Sequence, residues 1–141
     1  MPDLQRFLDA QAPVYGQALK ELRGGEKRSH WMWFVFPQLA GLGYSATSRY
    51  YAIETLQHAR AFLAHPVLGI RLRECVDVLN GHEGLTAERI FGYPDCLKLQ
   101  SSLTLFHVAV PDDAGFSRAL EKYYDGVGDQ ATINILRDAS G

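Results

Sequence analysis

Cys96, Leu99, Leu103, Phe106 and Val110 recur with the 3.6-residue period of an α-helix in "DCLKLQSSLTLFHVAV". Apolar residues at every turn over this length commit the segment to a helix that faces a core. Shorter versions of the pattern fill most of the chain. "PDLQRFLDAQ" aligns Leu4, Phe7 and Leu8, and "PVYGQALKELRGG" aligns Val14, Ala18, Leu19 and Leu22 before stopping at Gly24–Gly25. Ser29 is placed to cap a short helix through "HWMWFVF", which Pro37 must end. Ser45 or Thr47 can cap a long helix, "SRYYAIETLQHARAFLAH". "HPVLGIRLRECVDVLNG" has Pro66 in its first turn and Gly81 at its end. "TAERIFGYP" reads as a short turn, Asp125–Gly126 as another, and Asp129 as the cap of a closing helix, "DQATINILRD". "HWMWFVF" and "SLTLFHVAV" are also rich in β-formers and could pair as a two-stranded element, although periodicity favours helix. The expected fold class is all-α: a single compact domain over residues 1–141 with about seven or eight helices and room for one very short β element.

Composition narrows the function classes. At 141 residues the chain is long enough for a core of its own, and its net charge of −2 lacks the basic excess of a nucleic-acid binder. Such a binder would need Lys20, Arg23, Lys27 and Arg28 to share one face with the tryptophans. No apolar run approaches the roughly 20 residues of a transmembrane helix, so a membrane partner is not expected. Cys75 and Cys96 lack metal-site spacing and follow no signal-like start, which reads as reduced thiols in a cytoplasmic protein. The histidines form no i, i+4 pair and no HExxH, and there is no GxSxG. Neither a metal nor a cofactor is expected.

The segments "KRSHWMWFVFPQLAGLGYSATSRYYAI", "AHPVLGIRLREC", "IFGYPDCLKLQSSLTLF" and "YYDGVGDQATINIL" together resemble an uncharacterised, mostly bacterial family. It is known as domain of unknown function 1810, and its members are sometimes labelled calpastatin. The resemblance covers nearly the whole chain and implies a mainly helical domain with no established activity. The family pattern often has methionine where this chain has Leu103, a volume-conserving change. The resemblance carries over no catalytic residue.

Three groups of residues could carry chemistry. Both tryptophans fall in "HWMWFVFPQ" beside Lys27, Arg28, His30 and Gln38. Trp31 or Trp33 could stack on a planar group while the basic residues meet a phosphate or carboxylate. The bland alternative is a core helix with a basic entry turn, since Trp31/Phe34 and Trp33/Phe36 are each i, i+3 pairs. "GLGYS" is a weak phosphate-loop candidate matching neither the Walker pattern nor the dinucleotide fingerprint. On the helix expected from Thr47, Glu54 and His58 are i, i+4 neighbours next to Tyr51. Glu54 could act as a general base or accept a ribose hydroxyl; an ordinary surface pair is the alternative. Asp95, Lys98 and Ser102 form a stripe bordered by apolar positions. Asp95 could be an acid or base and Lys98 an anion holder, or the two could be an ion pair at a helix N-terminus.

The best reading is a pocket for a small polar, phosphorylated or nucleotide-like molecule, with hydrolytic acid–base chemistry by Asp95 or Glu54. "YYAIE" and "DCLKLQSSLTLF" are loosely similar to elements of small helical domains that process ADP-ribose linkages, so the ligand type is ADP-ribose-like. The alternative is a non-enzymatic interaction module, in its simplest form a homodimer through the aromatic segment. A pocket predicts a tryptophan half-buried in a concavity beside charges; a module predicts a flat apolar patch.

Overall fold

The computed structural model describes residues 3–140. Within them lie ten helical segments: α1 (Gln5–Gln11), α2 (Tyr15–Arg23), α3 (Met32–Val35), α4 (Ala46–Tyr50), α5 (Leu56–Ala64), α6 (Leu68–Gly81), α7 (Ala87–Phe91), α8 (Asp95–Ala109), α9 (Ala114–Tyr124) and α10 (Gln130–Ser140). The all-α expectation holds. The two additional segments are the second half of a helix expected to be continuous, now α4 and α5, and α7, which Thr86 caps where "TAERIFGYP" reads as a turn.

The helix with the clearest period, α8, is buried on more than one face. Ser101 through Phe106 are consecutively buried, so the helix runs through the middle of the fold. Helices α5, α7, α9 and α10 pack around it, while α6 packs on α2, α5 and α9. Two of the polar side chains this places in the core bond back to the preceding turn: Ser101 Oγ donates to the Leu97 carbonyl and Thr104 Oγ1 to the Gln100 carbonyl. Phe7, Phe62, Phe106 and Phe116 form a chain of ring contacts, with centroids 5.2, 5.5 and 5.7 Å apart, linking α1 to α9 across the core.

Two local expectations are corrected. The long helix "SRYYAIETLQHARAFLAH" is two helices. Its break lies at Tyr51–Thr55, because Ile53 is fully buried and pairs its backbone with the segment after Pro37. Ile53 N–H donates to the Gln38 carbonyl at 2.9 Å, and Ala40 N–H to the Ile53 carbonyl at 2.8 Å. This isolated parallel bridge, Leu39 with Ile53, is the short β element; "HWMWFVF" and "SLTLFHVAV" do not pair. Each half has its own cap, Ser45 for α4 and Thr55 for α5. The second correction concerns Ser29. It does not cap α3, whose N-cap position is Trp31 without a side-chain cap, because its hydroxyl is committed to Glu21.

Candidate functional site

Glu21, on the last turns of α2, is 5% exposed and accepts five hydrogen bonds. They come from the backbone N–H of Arg28 (2.8 Å) and Ser29 (2.9 Å), the Ser29 hydroxyl (2.6 Å), the Trp31 indole N–H (2.9 Å) and the Gln17 amide (2.9 Å). Burial alone would raise this carboxyl, but the bonds from Ser29, Arg28, Gln17 and Trp31 outweigh it and hold the pKa down at about 2. The carboxylate thereby folds the connection between α2 and α3 around itself. The sequence offered no signal for this, because Glu21 sits in an ordinary helical pattern.

That connection directs Lys27 inward. Its backbone N–H donates to the Ile90 carbonyl at 2.7 Å, and its ammonium donates to the Ser29 carbonyl at 2.6 Å. The same ammonium meets Asp95 at 3.0 Å and lies 5.2 Å from the Trp31 ring centroid. Asp95 opens α8 and takes a second lysine, Lys98, at 3.5 Å. The two cations are not equivalent. Lys27 is 8% exposed and held at every polar contact, whereas Lys98 is 29% exposed and lies 5.7 Å from the Trp33 ring centroid. Two ammonium groups on one carboxylate leave one uncompensated positive charge, and the looser cation carries it beside an indole.

Trp33 joins this charged group to a concavity. Half-buried, it lines a cleft of about 100 Å³ with Gln38, Gly41, Gly43, Ser48, Arg49 and Tyr51 among its walls. The backbone pairing of Gln38 and Ala40 with Ile53 forms the floor. Gly43 passes so near α4 that a Cβ there would fall 2.5 Å from the Ser48 Cβ, which keeps the "GLGYS" loop tight against the cleft. Burial, then the neighbouring Tyr50, push the Tyr51 phenol above its ordinary range, so it stays neutral. Arg49 and Ser48 were not singled out in the sequence; only their position after the glycine loop hinted at them.

The structure thus brings together Lys27, Trp31, Trp33, Asp95 and Lys98, with Gln38 and Tyr51 on the adjoining cleft. Trp31 is fully buried, so its ring is a wall of the core and not a stacking face. Arg28 points to solvent and pairs with Glu26 at 3.4 Å; His30 is exposed. Lys27 faces inward, so the continuous basic face with both tryptophans is not formed. Ser102 is 1% exposed, and its hydroxyl has no hydrogen-bond partner. Glu54 precedes α5 and lines a separate, more apolar groove with Thr55, Leu56, Gln57 and Ile135. Its backbone N–H donates to His58 Nδ1 at 3.1 Å, so the two residues meet through a cap and not as helical neighbours. Among the described residues, no group of three or more acidic, histidine or cysteine side chains is arranged to hold a metal ion, and no helix is long and apolar enough to cross a membrane.

The family model described as a protein of unknown function, DUF1810, matches residues 1–136. The chain belongs to the DUF1810 family. A crystal structure similar to this DUF1810 chain is that of a conserved hypothetical protein from Mycobacterium tuberculosis, 51% identical. The similarity covers 96% of this chain and 97% of that one, with a TM-score of 0.95. Comparison with curated proteins gave no match. DUF1810 membership therefore fixes the family and the fold.

Proposed function

We propose that the chain binds a small phosphorylated, nucleotide-like molecule at the Trp33 cleft, with Lys98 as the cation that meets its phosphate. One observation carries this reading: Trp33 is half-buried at the edge of a concavity, and the loosely held ammonium of Lys98 lies 5.7 Å from its ring centroid. A planar group and an anion can be satisfied there together.

The cleft volume sets the scale. About 100 Å³ is well below the roughly 300–1,000 Å³ of sites that enclose a drug-sized ligand. The enclosed part accordingly takes a group the size of a phosphate or a ribose, with Arg49, Ser48 and Gln38 as its polar partners. The remainder of the ligand lies over the open side, towards Trp33. Stacking on the indole face near Lys98 requires that ammonium to move, which breaks its 3.5 Å contact with Asp95. Ligand binding then frees one side of Asp95 while Lys27 keeps the other. If the protein is an enzyme acting on ADP-ribose-type linkages, Asp95 is its acid–base group; Glu54 lines another groove. The free, buried Cys75 and Cys96 support a cytoplasmic location.

The test is a thermal-shift screen of inorganic phosphate, AMP, NAD, ADP-ribose and sugar phosphates, followed by tryptophan fluorescence. A phosphorylated compound should raise the unfolding midpoint and quench emission in the parent protein but not in Trp33→Phe. Absence of any shift across the panel overturns the reading.

A further inference from the structure

We propose that Glu21 is the positioning residue of this site: by gathering the α2–α3 connection it places Lys27 on Asp95, and so leaves Lys98 free to serve an anion. The inference deepens the reading of the Trp33 cleft as an anion site, although its first test needs no ligand.

Glu21 fixes both the backbone N–H and the hydroxyl of Ser29. The carbonyl of the same residue accepts the Lys27 ammonium at 2.6 Å. The other end of Lys27 is tied to α7 through the Ile90 carbonyl. With both ends held, the ammonium has one carboxylate within reach, Asp95 at 3.0 Å. Asp95 is thus occupied before Lys98 approaches, and Lys98 rests at the longer 3.5 Å with its charge turned towards Trp33. Without Glu21 the backbone N–H groups of Arg28 and Ser29 and the buried indole N–H of Trp31 lose their common acceptor, and the connection must reopen to find water. Lys27 then leaves, Asp95 draws Lys98 onto itself, and the anion site loses its cation. A carboxylate is required because one acceptor group must serve five donors, which a neutral amide with a single carbonyl oxygen cannot do.

A purely structural Glu21 would stabilise Trp31 and leave Lys27 where Asp95 holds it. The two roles therefore separate on the reactivity of Lys27. The first experiment measures acylation of each lysine by a water-soluble amine reagent, with peptide mass spectrometry and exposed Lys20 as internal reference. In Glu21→Gln, Lys27 should react about tenfold faster relative to Lys20, as expected when about one charge-assisted hydrogen bond's worth of protection is lost. An unchanged ratio in folded Glu21→Gln overturns the proposal. Should that variant fail to fold, Glu21→Asp decides: it keeps the charge but withdraws it by one methylene, and the ratio must rise there too. The second experiment measures inorganic phosphate affinity in a double-mutant cycle with Lys27→Met. The Glu21→Gln loss should vanish when Lys27 is already absent; an additive loss overturns the proposal. If the parent protein binds no phosphate, the reading of the cleft fails, and the Lys27 ratio still judges Glu21.

Discussion

The Trp31 indole N–H donates to the Glu21 carboxylate at 2.9 Å, and both residues are buried. Trp33, two positions on, is half-buried on the opposite errand, facing a cleft. The two tryptophans of the chain are therefore distinct reporters. Trp33→Phe should abolish ligand-dependent quenching with little change in unfolding midpoint. Trp31→Phe should leave the quenching but cost about 2–3 kcal/mol by chemical denaturation, through a smaller ring and a lost donor on a buried carboxylate.

The two lysines on Asp95 should separate in the same way. Lys98→Ala removes a half-buried, loosely held partner and should change stability by less than about 1 kcal/mol while weakening phosphate binding. Lys27→Met removes a buried cation and should cost about 2 kcal/mol in a urea titration, since Asp95 loses its nearer partner. Equal stability losses for the two would contradict the asymmetry.

Stability should fall in two steps on acidification. His58 is buried; burial, then the facing Arg6, lower its pKa below the ordinary 6.5. The unfolded chain binds this proton more readily, so the contribution of neutral His58 is complete above pH 6.5 and declines as pH falls below it. Glu21 acts lower, because its carboxyl is held at about 2 against 4.5 when unperturbed. Its contribution is present above 4.5 and is lost between 4.5 and about 2. Midpoints across this pH range should show a flatter upper limb in His58→Gln and a flatter lower limb in Glu21→Gln.

Gly43→Ala places a methyl group 2.5 Å from the Ser48 Cβ, an atom that no rotamer change can move. The loop must shift, at a cost of about 1–3 kcal/mol, and the cleft changes shape. Adding Ser48→Gly removes the opposing atom and should recover most of the midpoint. Failure of the double variant to recover would mean the loop is not held against α4.

The sequence made the helices legible because their apolar spacing is a local property; α8 falls where its period puts it, and α6 ends at Gly81 as expected but starts at Leu68, so Pro66 precedes it and is not in its first turn. It also brought Lys27, Trp31, Trp33, Asp95 and Lys98 forward as residue types suited to one site. What it hid was whatever depends on distant backbone. The break at Tyr51–Thr55 follows from Ile53 pairing with Gln38 and Ala40, and the local pattern there reads as unbroken helix. Trp31 is buried with its indole N–H on Glu21, whose own burial no neighbouring residue announces. Arg49 entered the cleft only once α4 had been cut short.

The Leu39–Ile53 bridge has a consequence for the order of assembly. It joins segments close together in the chain, so the floor of the cleft closes over a short loop. The ion pair beyond Trp33 joins Lys27 to Asp95, far along the chain, and waits for α8. Folding thus shapes the hollow first, with Arg49 already in its wall, and adds the Lys27–Asp95 pair last. In local unfolding the sequence reverses, and the Lys27–Asp95 pair parts while the hollow still stands.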